Sequence, residues 1–213
     1  MRFRAIVGFS CMLLGLAAPL DTGPAARAAP VTVRTSYVHF PLRAGSEAGL
    51  LAEMRRAGPL VGGRHAFART RMRAAITMSM AGPAGRCRMR KVSIGLRFAI
   101  SLPRPLRLRQ MSAPARRRWA AFASRLRRHE QHHCGIWLAC ARKARRAMLK
   151  LTAPSCAALK QRAEATYRKV MDACGKRHDI FDRRERMAVL RDPFVRAALG
   201  LGRKGAGRKK PRH

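Results

Sequence analysis

His129-Glu130-Gln131-His132-His133 reads H-E-x-x-H, and its spacing specifies a chemistry. On a helix, residues four apart differ by about 40° around the axis and about 6 Å along it. The imidazoles of His129 and His133 therefore reach one metal ion from one face. Glu130 lies one step round from His129, beside such an ion and not on it. Two imidazoles on zinc with a neighbouring carboxylate as general base activate a water for hydrolysis. With seven His in 213 residues, composition alone yields this pattern about 0.005 times per chain, so chance is a poor explanation. The competing reading is a helix whose two His face the core without a metal.

The elements that must position these groups can be read outward from the motif. Ser112 with Pro114 marks the entry to a helix expected to run to about Leu151. Along it Trp119, Phe122, Leu126, His129, His133, Ile136, Cys140 and Ala144 fall at steps of three and four, one apolar stripe, while the arginines lie largely off it. Both His thus take core-facing positions, where a polar ring needs a partner, and a metal serves both. His132 points away from the stripe. Thr152-Ala153-Pro154-Ser155 makes a turn, and Ser155 caps a second helix expected to reach Cys174-Gly175, which gives an antiparallel hairpin. Equal rise along both helices sets His133 level with about Asp172 and His129 with about Lys176. The segment 172–185 then emerges beside the metal. A catalytic zinc takes three protein ligands and a water. The extended H-E-x-x-H-x-x-G-x-x-H pattern is absent, because Ile136 and Ala139 occupy its later positions. His178, Asp179, Asp182 and Glu185 are the choices for the third ligand.

Upstream, Val31 to Leu42 alternates and is rich in Val, Thr and Tyr, which predicts a strand. Ser46 precedes a short helix with Leu50, Leu51 and Met54, closed by Gly58-Pro59. Two further strands are expected over about 64–80 and 86–102, joined by Ala81-Gly82-Pro83-Ala84-Gly85, with Leu102-Pro103-Arg104-Pro105 ending the pattern. In the second, Val92, Ile94, Leu96, Phe98 and Ile100 alternate with Lys91, Ser93, Gly95, Arg97 and Ala99, the period of a sheet with one buried face. The fold class is α+β: a small, mostly antiparallel sheet with a short helix, followed by the long helical hairpin.

The ends and the charge bound the setting. Met1-Arg2-Phe3-Arg4, the apolar run Ala5 to Leu20 and the small-x-small site Ala26-Arg27-Ala28 predict a signal peptide over residues 1–28, hence a periplasmic or secreted protein. No later run is long enough to span a membrane. Residues 29–199 form one domain, and 200–213, rich in Gly, Lys and Arg, reads as a disordered basic tail. The formal charge is +37, and removal of Arg2, Arg4, Arg27 and Asp21 with the leader lowers it by two. Charge of this density attracts anionic surfaces such as lipid headgroups or acidic polysaccharide. With 6% aromatic residues and no reading motif, specific nucleic-acid recognition is not expected.

Taken in order, Tyr37-Val38 in a strand, a helix ending Arg56-Ala57-Gly58-Pro59, Cys87 opening an alternating strand, Pro103, Trp119 ahead of the H-E-Q-x-H helix, Cys156 and Phe181-Asp182 resemble the bacterial domain-of-unknown-function 922 family over about residues 31–190. The resemblance implies an exported, zincin-like zinc-dependent protease. The family's last motif resembles Tyr-Asp-x-x-Thr-x-His-Gly. Phe181 and Asp182 match its first two positions, while Glu185, Met187 and Ala188 replace the rest and remove a His. The likeness therefore implies Asp182 as third ligand, with Ile180-Phe181 anchoring it and His178 as its rival. Five cysteines follow the leader, and in an exported protein an even subset pairs. Hairpin register predicts Cys134–Cys174. Cys87 and Cys156 match family cysteines, so the resemblance implies a second bridge between them, and Cys140 is left free. A four-cysteine zinc site is disfavoured because no C-x-x-C occurs. The expected function is a zinc peptidase acting on a peptide or protein, with Glu130 as general base. The alternative is a catalytically impaired zincin-like basic protein that binds anionic cell-envelope components.

Overall fold

The computed structural model describes residues 31–201, so the expected signal peptide and most of the basic tail lie outside the described residues. The central element is strand β5 (Cys87–Pro105), whose Val92, Ile94, Leu96, Phe98 and Ile100 are all buried, as the alternation predicts. Strand β1 (Val31–Leu42) lies along one side of it, from Val31 opposite Ile94 to Leu42 opposite Pro105. Strand β4 (Arg69–Ala81) lies antiparallel along the other, from Arg69 opposite Ser101 to Ala81 opposite Arg88. The antiparallel expectation holds for β4, whereas β1 joins parallel. β5 runs on through Pro103, past the expected break. Pairing with β4 stops at Ser101, so β5 is an edge strand beyond it, where proline is tolerated.

Between β1 and β4, helix α1 (Glu47–Ala57) starts where the Ser46 hydroxyl accepts from the Gly49 amide, and buries Leu50, Leu51 and Met54. The strand expected from about residue 64 is divided. A small hairpin, β2 (Leu60–Val61) with β3 (Arg64–His65), precedes β4. It turns through Gly62 and Gly63 at φ +55° and +77°, a conformation glycine adopts without strain.

Helix α2 (Ala113–Leu149) begins at Ser112, whose hydroxyl accepts from Ala115, and lies across the apolar face of the sheet. The chain then returns by a detour. Thr152–Ala153 form β6 against Cys87 and Arg88, and Cys156 is bonded to Cys87, the bridge the resemblance implied. From there α3 (Cys156–Leu190) runs back along α2. It does not end at Cys174-Gly175. A glycine inside a helix costs about 1 kcal/mol, and the packing of Cys174, Val170, Met171 and Phe181 against α2 offsets this. Helix α4 (Pro193–Ala198), capped by Asp192, seals the end of the core by stacking Phe194 on Phe122 at 4.8 Å and against Trp119 at 5.1 Å.

The detour also corrects the second disulfide. Cys174 is bonded to Cys140, and Cys134 is the free thiol. A tight turn would have set Cys134 beside Cys174, but tying the connection to β5 displaces the start of α3. The register moves accordingly: His133 meets His178, about six residues beyond the expected Asp172.

Candidate metal centre

Because α3 stays helical past Gly175, it presents His178 and Asp182 four residues apart on the face toward α2. That pair meets His129 and His133, also four apart, on the antiparallel neighbour. His129 Nε2 lies 3.1 Å from His133 Nε2, and Asp182 Oδ1 lies 3.3 Å from the first and 3.1 Å from the second. Neighbouring donors of a tetrahedral zinc with bonds of about 2.0–2.1 Å sit about 3.3 Å apart. The triangle of two imidazole nitrogens and one carboxylate oxygen therefore has the size and chemistry of three zinc ligands. Among the described residues this trio is the cluster of His, Cys, Asp or Glu groups spaced to hold a metal.

The rival third ligand is placed differently. His178 Nδ1 contacts His133 Nδ1 at 2.7 Å, on the ring edge away from the triangle, while its own Nε2 is buried without a partner. His178 thus orients His133. Asp179 is exposed on α3, and Glu185 lies 3.6 Å from Arg125, which is also 3.6 Å from the buried Asp192. Phe181 stacks on His132 at 4.0 Å and on His129 at 4.7 Å. It anchors α3 to the motif helix, and His132, off the stripe, contributes to that anchor.

Glu130 is more deeply placed than the two His, at 5% exposure. Its Oε2 accepts from the Thr70 hydroxyl at 2.7 Å, and the same hydroxyl reaches the Glu130 carbonyl at 3.2 Å. Burial pushes this carboxyl up to about 7, against the pull of the Thr70 bond. Burial pushes the His133 imidazole down to about 4 and lowers His129 and His178, with Asp182 opposing in each case. The rings are therefore neutral at neutral pH, the form in which imidazole binds a metal. The free Cys134 thiol is raised to about 11, chiefly by burial.

The sequence contained no signal for Thr70, one Thr in an alternating strand, nor for the walls of the cleft. A cavity of about 160 Å³ lies beside Glu130 and His129, walled by Phe67, Ala68, Leu126 and Val189 together with the charged Arg125 and Glu185. It adjoins a cleft of about 450 Å³ bordered by His65, Phe67, Asp182, Arg186 and Leu190. The cluster thus opens onto a groove between the β3–β4 connection and the last turns of α3.

No curated protein and no solved structure matches the chain. The family described as "Bacterial protein of unknown function (DUF922)" matches residues 37–188, which take in the second half of β1, the rest of the sheet, α2, nearly all of α3 and every residue of the cluster. The chain belongs to that family.

Proposed function

We propose that the protein is an exported zinc-dependent peptidase whose metal is held by His129, His133 and Asp182. The observation that carries this reading is the triangle of donors, 3.1–3.3 Å on a side, next to a buried carboxyl. A zinc ion bound there supplies a nucleophilic water at neutral pH and polarises a carbonyl. Glu130, buried beside the trio, is the group that would accept a proton there. Thr70 fixes Oε2, which leaves Oε1 to receive it. Burial raises this carboxyl to about 7 in the metal-free protein, and the charge of a zinc ion beside it would lower it again, so that Glu130 would face the water as a carboxylate able to accept a proton. Neutral His129 and His133 offer lone pairs without first losing protons, and His178 holds the His133 ring in position. The cleft beside Phe67 and Leu190 is where a substrate chain would lie, and the 160 Å³ cavity, part apolar and part charged through Arg125 and Glu185, would take a small side chain.

Met187, which stands where the family motif has His, is 53% exposed and outside the cluster. Its replacement therefore removes no ligand from the trio, and this favours the peptidase over an impaired scaffold. Zinc-loaded protein should cleave a denatured protein substrate, and a chelator should stop it. Glu130→Gln should abolish cleavage while one zinc per chain is retained. Cleavage undiminished in Glu130→Gln, or no zinc in folded protein after metal exposure, would overturn the proposal.

A further inference from the structure

The helices cover one face of the sheet, and among the described residues nothing packs on the other. The register lines up Arg34 of β1, Arg97 of β5 and Arg73 of β4 in one row on that open face. All three are exposed, and among the described residues none has a salt bridge or side-chain hydrogen bond. Arg71 and Arg69 continue the positive charge along β4, at the same alternation. Like charges directly opposite one another destabilise a sheet, so the row opposes folding unless something anionic meets it.

The distribution of acids sharpens the point. Glu47 and Glu53 lie in α1, Glu130 in α2, Glu164, Asp172, Asp179, Asp182 and Glu185 in α3, and Asp192 caps α4. No acidic residue lies in β1, β4 or β5. The rest of the face is mostly small, with Ala75, Ser93, Gly95 and Ala99 at its centre and Val38 exposed beside Ser101. Arg34, Arg73 and Arg97 therefore border a shallow depression of about 400 Å³ floored by Ala75 and Gly95, and meet no carboxylate within it.

We infer that this open sheet face docks the protein on an anionic phospholipid bilayer, with the Arg34–Arg97–Arg73 row contacting headgroup phosphates. Charge complementarity carries the choice of occupant, since guanidinium matches phosphate in geometry and charge. The groups spread across three strands about 4.8 Å apart and along β4. Arg34, Arg97 and Arg73 border one shallow depression while Arg71 and Arg69 extend the charge along β4, so the patch is longer than one small anion and matches several headgroup phosphates in a plane. The face carries no aromatic side chain on which bases of a nucleic acid would stack. The inference rests on the sheet alone and is independent of the metal-centre reading.

Sedimentation with vesicles tests it. The purified protein should bind vesicles of phosphatidylglycerol mixed with phosphatidylcholine, should not bind phosphatidylcholine alone, and should lose binding as salt rises. R34Q/R73Q/R97Q should weaken binding on the order of 100-fold, because each basic residue near such a surface contributes roughly fivefold. R142Q/K143Q/R146Q, an equal charge change on the exposed side of α2, should weaken it far less. Circular dichroism and thermal melts check that both variants fold. Equal loss in the two variants would mean that net charge alone binds, and would overturn the assignment. So would retained binding in the sheet variant, or capture of inorganic polyphosphate or nucleic acid by this face without vesicle binding.

Discussion

His133 Nδ1 and His178 Nδ1 lie 2.7 Å apart, a contact in which one ring must donate and the other accept. With His133 Nε2 turned toward His129 and Asp182, a bound metal leaves the His133 proton on Nδ1, and His178 accepts it. Partners of this kind typically govern metal affinity by 10–100-fold. His178→Ala should therefore weaken zinc by roughly that factor, and His133→Ala or Asp182→Ala by more, as read by competition with a chromogenic chelator. If Asp182→Ala leaves affinity unchanged while His178→Ala lowers it tenfold or more, about 1.4 kcal/mol, the ligands are His129, His133 and His178.

Glu130 sets a stability trend of unusual sign. In metal-free protein its carboxyl titrates at about 7, against an ordinary 4.5. Between those values the folded state holds a proton that the unfolded state has lost, so this group makes stability fall as pH rises through the window. Glu130→Gln removes the dependence and should stabilise the metal-free fold at pH 8 by up to about 3 kcal/mol, with little effect at pH 4. Urea unfolding in the presence of chelator at the two pH values decides it. Equal effects of the substitution at both would contradict the assigned cause.

Most of this architecture was legible where side-chain periodicity and burial agree. The β5 alternation and the caps Ser46, Ser112 and Ser155 all appear where the pattern puts them. Register between α2 and α3 was not legible, because it depends on where the connection is tied. The two-residue strand Thr152–Ala153 and the Cys87–Cys156 bond move α3 by nearly two turns and exchange Cys134 for Cys140. Gly175 misled for a related reason: local propensity ended the helix, but tertiary contacts around Cys174 and Phe181 continue it. The motif residues were identifiable by type and spacing, and Asp182 was singled out from four candidates by the family resemblance, whereas Thr70 acts from a distant strand whose neighbour on α2 only the folded chain reveals.

The imidazoles carry the opposite pH signature. The His133 ring titrates at about 4, held down chiefly by burial, and His129 is also lowered. The folded state therefore favours the neutral rings, and the metal-free fold should lose stability as pH falls from 6.5 toward 4. The rings therefore release few protons on metal binding, and the pH dependence of zinc affinity between pH 7.5 and 6 should come from Glu130, which contributes at most one proton and is silenced in Glu130→Gln. Calorimetry in buffers of different ionisation enthalpy measures the protons released. A release of about two per zinc at pH 6 would refute the neutral-ring assignment.

Non-reducing peptide mapping should recover Cys87–Cys156 and Cys140–Cys174, with the half-buried Cys134 as the thiol that is alkylated, slowly in the folded protein because burial raises it to about 11. The Cys140–Cys174 bond closes a separation of 34 residues, so C140S/C174S should cost about 4 kcal/mol in the chain-entropy model. A bridged Cys134 would overturn the helix register and the site built on it.

Cys140 lies seven residues along α2 from His133, and Cys174 four residues along α3 from His178. The covalent bond thus holds the same two helices that a metal in the proposed centre would join, and both would select a single sliding position of one helix against the other. Two clamps on one register are thermodynamically reciprocal: each strengthens the other by the same factor. A thiol reductant should accordingly act as a remote antagonist of metal binding, releasing zinc without touching a ligand, and zinc should protect the bond from reduction. The protein would then hold its metal firmly only where its cysteines stay oxidised, so that maturation outside a reducing compartment becomes a condition for its chemistry.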